Sequence, residues 1–254
     1  MSAHLNIREI TPDKPIILSK IDFTCDDLDD SIPEPLPQKN FFMIISGRAG
    51  SGKTSLILNL LTKRGKCFNR KFDKVFLFGS SFKTIKNKPF KDLPDEQKYN
   101  GLSEDTLEEA LSSIADSGEK ILFVMDDVVN DISRSGSLEK KMCSLIMNRR
   151  HLCGEGGSLS IMLSSQVYNK IPAPIRKNAD KVIIYHTRNK KEIESLLDEL
   201  ICIPKDEFYQ ILNYCFDKVH NFMYIDINKP PAHMFFKNFN QLEFNSHSLR
   251  PFEA

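Results

Sequence analysis

A glycine-rich octapeptide at residues 47–54 constrains the fold of this chain more than any other feature. It has the sequence Gly-Arg-Ala-Gly-Ser-Gly-Lys-Thr, follows the apolar run 41–45 and leads into the leucine-rich stretch 55–61. A strand, a tight glycine turn and a helix in that order form the setting of a phosphate-binding loop. The glycines let backbone N–H groups turn inward on an anion, and the helix adds the positive end of its dipole. We therefore expect this loop to bind a nucleoside triphosphate.

Within the loop, two side chains have predicted roles. Lys53 is expected to reach the β- and γ-phosphates, and Thr54 is expected to offer its hydroxyl to Mg²⁺. ATP and Mg²⁺ are therefore the predicted cofactors. The predicted nucleotide-binding residues are consecutive: Gly47, Arg48, Ala49, Gly50, Ser51, Gly52, Lys53, Thr54 and Ser55.

The composition is that of a globular protein with a hydrophobic core. Of 254 residues, 41% are hydrophobic and 27% are charged, and the formal net charge is only +1. The overall charge therefore says nothing about a nucleic-acid partner. Its distribution is uneven, since residues 63–91 hold ten Lys or Arg and one acid, whereas residues 26–34 hold five acids and no base. The basic stretch is either a solvated face or a surface that contacts phosphates.

Cysteine spacing and hydropathy exclude several classes of protein. The six cysteines include no pair spaced as in a zinc ribbon or a CxxC redox motif. The chain does not open with a signal-peptide pattern, and no apolar stretch approaches the length of a membrane span. We expect reduced thiols, no secretion and no stable membrane insertion.

Apolar runs separated by helical patterns predict an α/β fold with a mainly parallel central sheet flanked by helices. The runs are uniformly apolar, which is typical of strands covered on both faces. Residues 222–227 and 233–236 predict a closing hairpin, residues 79–101 a long loop and residues 172–178 a short turn or helix. The further predicted strands are 41–45, 74–78, 121–125, 159–163 and 181–185, and the further helices 55–61, 102–116, 138–150, 192–200 and 205–216.

Three segments are predicted along the chain. Residues 1–38 are expected to form an irregular N-terminal extension that ends in a proline-rich entry. Residues 39–240 are expected to form one P-loop ATPase domain, and residues 241–254 a C-terminal tail.

Two adjacent acids follow the strand 121–125. Ligands bind at the carboxyl ends of strands in open α/β sheets, and Asp126 emerges at such an end. Asp126 is predicted to hold the water shell of Mg²⁺, and Asp127 to polarise the attacking water. Because a carboxylate at a buried strand end needs a cation or donors, a purely structural role is disfavoured for Asp126. Asp127 has the alternative of capping the helix that follows.

Gln166 ends the next predicted strand and is expected to lie beside Asp126. An amide there can bond the γ-phosphate or orient water, and so report hydrolysis to the rest of the molecule. The alternative is an exposed polar residue at a strand end.

Phosphoryl transfer also needs positive charge at the γ-phosphate, often from an arginine supplied in trans. Arg149, Arg150 and His151 end the helix before the strand 159–163, so either arginine is a candidate finger. Cations at a helix C-terminus are also favourable with the helix dipole, which is the competing interpretation. Arg176 is a further candidate.

The order of these motifs resembles the viral genome-packaging ATPases of the FtsK–HerA superfamily, found in poxviruses, other large DNA viruses and virophages. The resemblance covers about residues 40–200, and the later motifs carry its specificity. A short insertion at residues 152–157 lengthens the passage from Arg-His to the next strand. The matching stretches are Gly47 to Thr54, Phe123 to Asp127, Arg150-His151, Ser165-Gln166 and Ile175 to Asp180.

This resemblance implies a RecA/FtsK–HerA-like P-loop fold and a motor that forms a ring, expected to be a hexamer. Such a motor uses ATP to drive double-stranded DNA into a capsid. It implies Gln166 as sensor and Arg150 as the trans-acting finger, with Arg149 as the neighbouring alternative. Capsid or portal-site proteins are implied partners, and the virion or the host-cell cytoplasm the location. Residues 63–91 and Lys190-Lys191 are possible DNA contacts.

Other classes of protein share the phosphate loop. A small-molecule kinase needs an acceptor pocket and an arginine-rich lid, and a GTPase needs an Asp-x-x-Gly after the third strand, which is missing here. A nucleotide-gated scaffold binds ATP without useful turnover and so would not need Asp126 and Asp127. The presence of both acids argues against this class. A DNA helicase or conjugation-type pump unrelated to packaging is the nearest alternative to the packaging motor.

Overall fold

The computed structural model describes residues 31–62, 67–85, 89–201 and 203–244. The predictions for residues 1–30 and 245–254, and those parts of the basic stretch at 63–66 and 86–88, lie outside the described residues. Cys25 and Cys202 also lie outside them.

The described strands form one sheet. Nine strands lie in the spatial order β3-β2-β4-β5-β1-β6-β7-β8-β9. In chain order they are β1 Phe42–Ser46, β2 Lys74–Phe78, β3 Lys98–Tyr99, β4 Lys120–Asp126, β5 Ser158–Ser165, β6 Lys181–Tyr185, β7 Phe222–Asp226, β8 Phe235–Lys237 and β9 Asn240–Gln241.

The first six strands in this spatial order, from β3 through β1 to β6, pair in parallel. The strands β7, β8 and β9 then continue the sheet with antiparallel pairing. The predicted mainly parallel sheet and its closing hairpin are thereby confirmed. The strand β5 lies between β1 and β4, so the phosphate loop and Asp126 are two strands apart. We call the edge where the parallel strands end the carboxyl edge, and the edge where they begin the amino edge.

Helices cover both faces of the sheet. Alternate residues of β1 enter two different apolar clusters: Ile44 belongs to a cluster that includes residues of six helices, whereas Ile45 belongs to a cluster that includes residues of the first helix. The helices are α1 Lys53–Thr62, α2 Glu104–Ile114, α3 Val129–Arg134, α4 Gly136–Asn148, α5 Ala173–Arg176, α6 Lys190–Leu200 and α7 Lys205–Cys215. Among the described α-helices only α1 lies on the second face, which Ile32, Leu36 and Phe68 also cover. The last described part of the predicted irregular extension therefore packs into the core.

Some elements differ from the prediction. Residues 79–101 are not a continuous loop, because two short 3-10 turns and β3 lie within them, and Tyr99 stacks on Phe78 at 5.0 Å between ring centroids. Helix α3 was not predicted either. Both elements are too short to show a periodic apolar pattern. Among the described helices, none is both long and apolar enough to cross a bilayer.

Candidate nucleotide-binding site

The loop between β1 and α1 has a backbone shape that depends on its glycines. Gly50 and Gly52 have φ values of +76° and +111°, which residues with side chains rarely adopt. A Cβ on Gly47 would lie 2.7 Å from Cβ of Tyr185. Helix α1 begins at Lys53, at the end of the loop and two residues before the predicted stretch 55–61. The loop therefore has a tight backbone shape that only glycine readily permits at these positions.

Lys53 is buried, and its ammonium group lies inside the loop. Its Nζ donates to the carbonyl oxygen of Gly47 at 2.6 Å and lies 3.5 Å from that of Arg48. Within the described residues Lys53 forms no ion pair with an acid. A buried ammonium whose bonds are all to backbone carbonyls keeps its charge available for an anion that enters the loop.

Asp126 ends β4, and its carboxylate is held by hydroxyl groups. The Oγ1 atom of Thr54 lies 3.4 Å from Oδ2, Ser81 donates to Oδ2 and Ser164 donates to Oδ1. Asp126 is only 3% exposed and makes no ion pair within the described part of the chain. Mg²⁺ prefers carboxylate and hydroxyl oxygens and keeps several of its waters. Thr54 and Asp126, which the sequence predicted as the metal ligands, are therefore together, and the donor set fits this ion.

A glycine makes room for this carboxylate. Gly79 follows β2 with a φ of +132°, and a Cβ there would lie 2.4 Å from the backbone oxygen of Asp126. The close approach brings the turn that carries Ser81 against the end of β4. Gly79 thus fixes a contact that the sequence alone did not indicate.

Asp127 and Gln166 meet at the carboxyl edge. The register pairs Asp126 with Ser164, and the Nε2 atom of Gln166 donates to Oδ2 of Asp127 at 3.1 Å. Gln166 therefore lies beside the Asp pair, as the sequence predicted. The residue before the first turn of α3 is Val128, so Asp127 is not that helix's cap. Asp127 instead has a φ of +56° and an exposed side chain, which directs its carboxylate toward the loop after β5.

The candidate arginines lie near the amino edge. Arg149 caps the C-terminus of α4, and its guanidinium donates to the carbonyl oxygens of Asn40 and Ile146 and to Asp180 at 2.5 to 2.6 Å. These contacts give Arg149 a structural role within its own chain. Arg150, the next residue, is exposed.

Arg176, the remaining candidate, is also engaged within the chain. Its guanidinium donates to both carboxylate oxygens of Glu199 at 2.5 to 2.6 Å and to the carbonyl oxygen of Ile171 at 2.6 Å. The bonds to Glu199 raise the pKa of Arg176 above its ordinary value. Of the three candidates Arg150 is the exposed one, whereas the side chains of Arg149 and Arg176 are each only 12% exposed.

Sequence reasoning missed several residues around the loop. Ser81 and Ser164 bond Asp126, and the Nδ1 atom of His220 lies 3.0 Å from the carbonyl oxygen of Ser51. Tyr185 packs beside Gly47 and Gly52, and burial raises the pKa of its phenol. Only Ser164 carried a usable signal, since it directly precedes the Ser-Gln pair at a strand end.

Comparison with known proteins agrees with this geometry. The model of the NB-ARC domain matches residues 25–152, which is half of the chain. The chain belongs to the NB-ARC family. This family is a family of P-loop NTPase domains, and its match includes both the phosphate loop and the Asp126-Asp127 pair. None of the curated proteins matches the chain.

Solved structures share the fold of this NB-ARC family member. The genome packaging NTPase B204 of Sulfolobus turreted icosahedral virus 2, in complex with ATP-gammaS, has a TM-score of 0.50 at 14% identity. The DNA-packaging ATPase B204 of Sulfolobus turreted icosahedral virus has a TM-score of 0.51 at 14% identity. Each match covers 80% of this chain and 98% of the other. The predicted P-loop fold and the resemblance to viral packaging ATPases are confirmed at the level of fold.

Proposed function

We propose that this P-loop NTPase hydrolyses ATP to drive double-stranded DNA into a viral capsid. One observation supports the hydrolytic part most strongly: the phosphate loop, the Thr54–Asp126 pair and the Asp127–Gln166 pair converge at one edge of the sheet. The packaging part is supported by the order of the later motifs and by the fold shared with B204, which is named as a packaging NTPase.

The residues of the site divide the reaction between them. The N–H groups of residues 47–54 and the ammonium of Lys53 bind and orient the phosphates. Thr54 and Asp126 would hold Mg²⁺, which would neutralise charge on the phosphate oxygens. The carboxylate of Asp127 accepts a proton from the attacking water, and the amide of Gln166 orients it.

The arginine finger comes from a second copy of the chain. Arg150 is exposed near the amino edge, whereas the phosphate loop lies at the carboxyl edge of the same sheet. A ring of copies, which we take to be a hexamer, would bring one subunit's amino edge to the next subunit's phosphate loop. Each active site is then shared, and hydrolysis depends on assembly.

DNA and capsid components are the partners in this proposal. Exposed cations of the basic stretch include Arg70 and Lys91, and Lys190 and Lys191 begin α6 as exposed residues. Such side chains contact phosphates without reading sequence. Capsid or portal-site proteins would bind the motor, and the location would be the virion or the host-cell cytoplasm.

The deciding experiment measures steady-state ATP hydrolysis across protein concentration, with and without double-stranded DNA. A steep rise with concentration and further stimulation by DNA supports a ring-forming translocase. Lys53→Ala should weaken nucleotide binding and remove the signal. Activity proportional to protein and indifferent to DNA would instead favour a small-molecule kinase.

The same assay separates the remaining alternatives. A guanine preference in nucleotide competition would favour a GTPase, and negligible turnover under all conditions a nucleotide-gated scaffold. DNA-stimulated turnover without packaging into capsids would favour a helicase or pump outside packaging.

A further inference from the structure

Gln166 follows a backbone segment that is fixed to the phosphate loop. The N–H group of Gly47 donates to the carbonyl oxygen of Ser165 at 3.1 Å. The hydroxyl of Ser165 accepts from the N–H of Val167 at 3.2 Å and donates to its carbonyl oxygen at 2.9 Å. These bonds close a tight turn around Gln166. The upstream side of the residue is therefore tied to the loop that binds phosphate.

Glu192 fixes the downstream side of the same segment. Its Oε1 atom accepts from the N–H of Tyr168 at 2.6 Å, and its Oε2 atom accepts from the hydroxyl of Thr187. Glu192 is 5% exposed and Tyr168 is fully buried, so the bond between them is shielded from water, and the bond to Thr187 is partly buried. One carboxylate thus joins the connection after β5 to the connection after β6.

Glu192 is not needed to cap its own helix. Asn189 caps α6, because its side chain accepts from the N–H of Lys191 at 3.1 Å. An ordinary first-turn glutamate would lie in solvent and interact with the helix dipole. Glu192 is instead buried, directs both oxygens to other segments and has no ion pair within the described residues. Burial of a carboxylate without a cation is costly unless hydrogen bonds offset it, and both oxygens of Glu192 accept such bonds.

We propose that Glu192 is a positioning residue that holds Gln166 against Asp127. The proposal rests on the proposed function, because Gln166 acts on water or phosphate only if hydrolysis occurs there. Glu192, Gln166 and Gly47 line one cleft of about 410 Å³ next to the phosphate loop. With the carboxylate present, the segment from Ser165 to Tyr168 is held at both ends, and the amide of Gln166 stays within bonding distance of Asp127. Loss of the carboxylate releases one end.

The kinetic test compares Glu192→Ala with Glu192→Gln. We expect Glu192→Ala to lower kcat roughly 10- to 100-fold with KM nearly unchanged, because a small misplacement of a positioning group costs turnover rather than binding. Glu192→Gln should restore most of the activity, since its Oε1 atom can still accept from Tyr168. In a Gln166→Ala background, Glu192→Ala should have no further effect. Full additivity of the two substitutions contradicts the proposal.

Two variants control for a loss of folding. Thr187→Val leaves the bond to Tyr168 in place and should lower kcat less than Glu192→Ala does. Glu194→Ala removes a glutamate of the same helix that pairs with Lys205 at 3.0 Å on the surface, and should leave kcat unchanged. Equal losses of kcat in Glu192→Ala and Glu194→Ala would show a general effect on α6 and overturn the proposal.

Hydrogen exchange at the amide of Tyr168 provides a readout that is independent of turnover. Glu192→Ala should speed exchange at Tyr168 by about tenfold or more, and Glu192→Gln should not. Unchanged exchange in Glu192→Ala overturns the proposal even if activity falls. If the wild-type chain hydrolyses no nucleotide, the proposed function fails, and faster exchange in Glu192→Ala alone still supports the anchoring by Glu192.

Discussion

The two edges of the sheet differ in whether their charged side chains form ion pairs. At the amino edge, Asp180 pairs with Arg149 and also accepts from the N–H of Phe42 at 2.6 Å, and the buried Lys181 pairs with Asp226. At the carboxyl edge, Asp126 is bonded by hydroxyls, and Lys53 is bonded by carbonyl oxygens. Among the described residues, neither has an oppositely charged partner.

This difference separates structural charge from charge that serves binding. A paired buried charge is already neutralised and has little left to offer a ligand. A buried charge held only by neutral groups remains able to attract a cation or an anion. By this criterion the carboxyl edge is the edge whose charged groups can bind ligand ions. Asp180, the last residue of one motif of the resemblance, is instead paired at the amino edge with Arg149, which directly precedes the Arg-His step.

The strongest test of the comparison concerns Arg150, which lies near the amino edge but is proposed to act at the carboxyl edge of a neighbour. Arg150→Ala should lower turnover by about 10³-fold or more, because an arginine finger contributes on that scale. Mixing Arg150→Ala with Lys53→Ala should restore part of the activity, since each mixed interface can combine an intact loop with an intact finger. A mixture as inactive as its components would count against a shared site.

Asp127→Asn should have the next largest effect. The asparagine Oδ1 atom can still accept from Gln166, so the geometry remains while the capacity to accept a proton is lost. We expect turnover to fall by about 10²- to 10⁴-fold and nucleotide affinity to stay within a few-fold, as measured by single-turnover kinetics and equilibrium binding. Normal turnover would remove Asp127 from the role of base.

The sequence predicted the central strands because they are uniformly apolar. β2 and β6 have the predicted bounds, and the strand before the phosphate loop differs by one residue. The placement of Gln166 beside Asp126 was also predicted, because both follow strands that were expected to be parallel neighbours. Local pattern was sufficient for the strands, whereas the placement of Gln166 also needed the expected order of the parallel strands.

The contacts around Asp126 could not be predicted in the same way. Ser81 reaches it because Gly79 adopts a left-handed backbone and β2 lies next to β4, and neither follows from periodicity. From the sequence, Glu192 is indistinguishable from an ordinary glutamate in the first turn of a helix, where it would be expected on the surface. Its burial depends on how the connection after β5 passes over α6, which is a property of tertiary packing. The engagement of Arg149 within its own chain likewise depends on the position of Asp180.

Arg149→Ala should affect stability rather than chemistry. It removes three hydrogen bonds, two to carbonyl oxygens and one to Asp180, and leaves Asp180 without its cation. The side chains of Arg149 and Asp180 are only 12% and 22% exposed. We expect a loss of roughly 2 to 3 kcal/mol in the free energy of unfolding, measured by denaturant titration. Arg149→Lys should lose less, because an ammonium keeps the charge but not the planar fork. A large loss of turnover with unchanged stability would assign Arg149, not Arg150, to the finger.

The smallest effect is expected where charges pair on the surface, away from both edges. Lys141 on α4 lies 3.0 Å from Glu104, which begins α2 and also accepts from Ser137 at 2.8 Å. The pKa of Glu104 is lowered below its ordinary value of 4.5, and the largest cause is the hydrogen bond from Lys141. A lowered carboxyl pKa stabilises the folded state above the pKa of the unfolded chain, and that stabilisation disappears as pH falls through the folded value.

Glu104→Gln should therefore be slightly less stable than the wild type at pH 7, and the difference should vanish in strong acid. Thermal unfolding followed from pH 7 to pH 2 measures this directly. Because the pair is solvent-exposed, added salt should also shrink the difference. Arg149→Ala should keep most of its deficit in the same salt, since its pair is largely shielded from water. If the two variants respond alike to salt, the contrast between paired charge at the amino edge and paired charge on the surface would have to be abandoned.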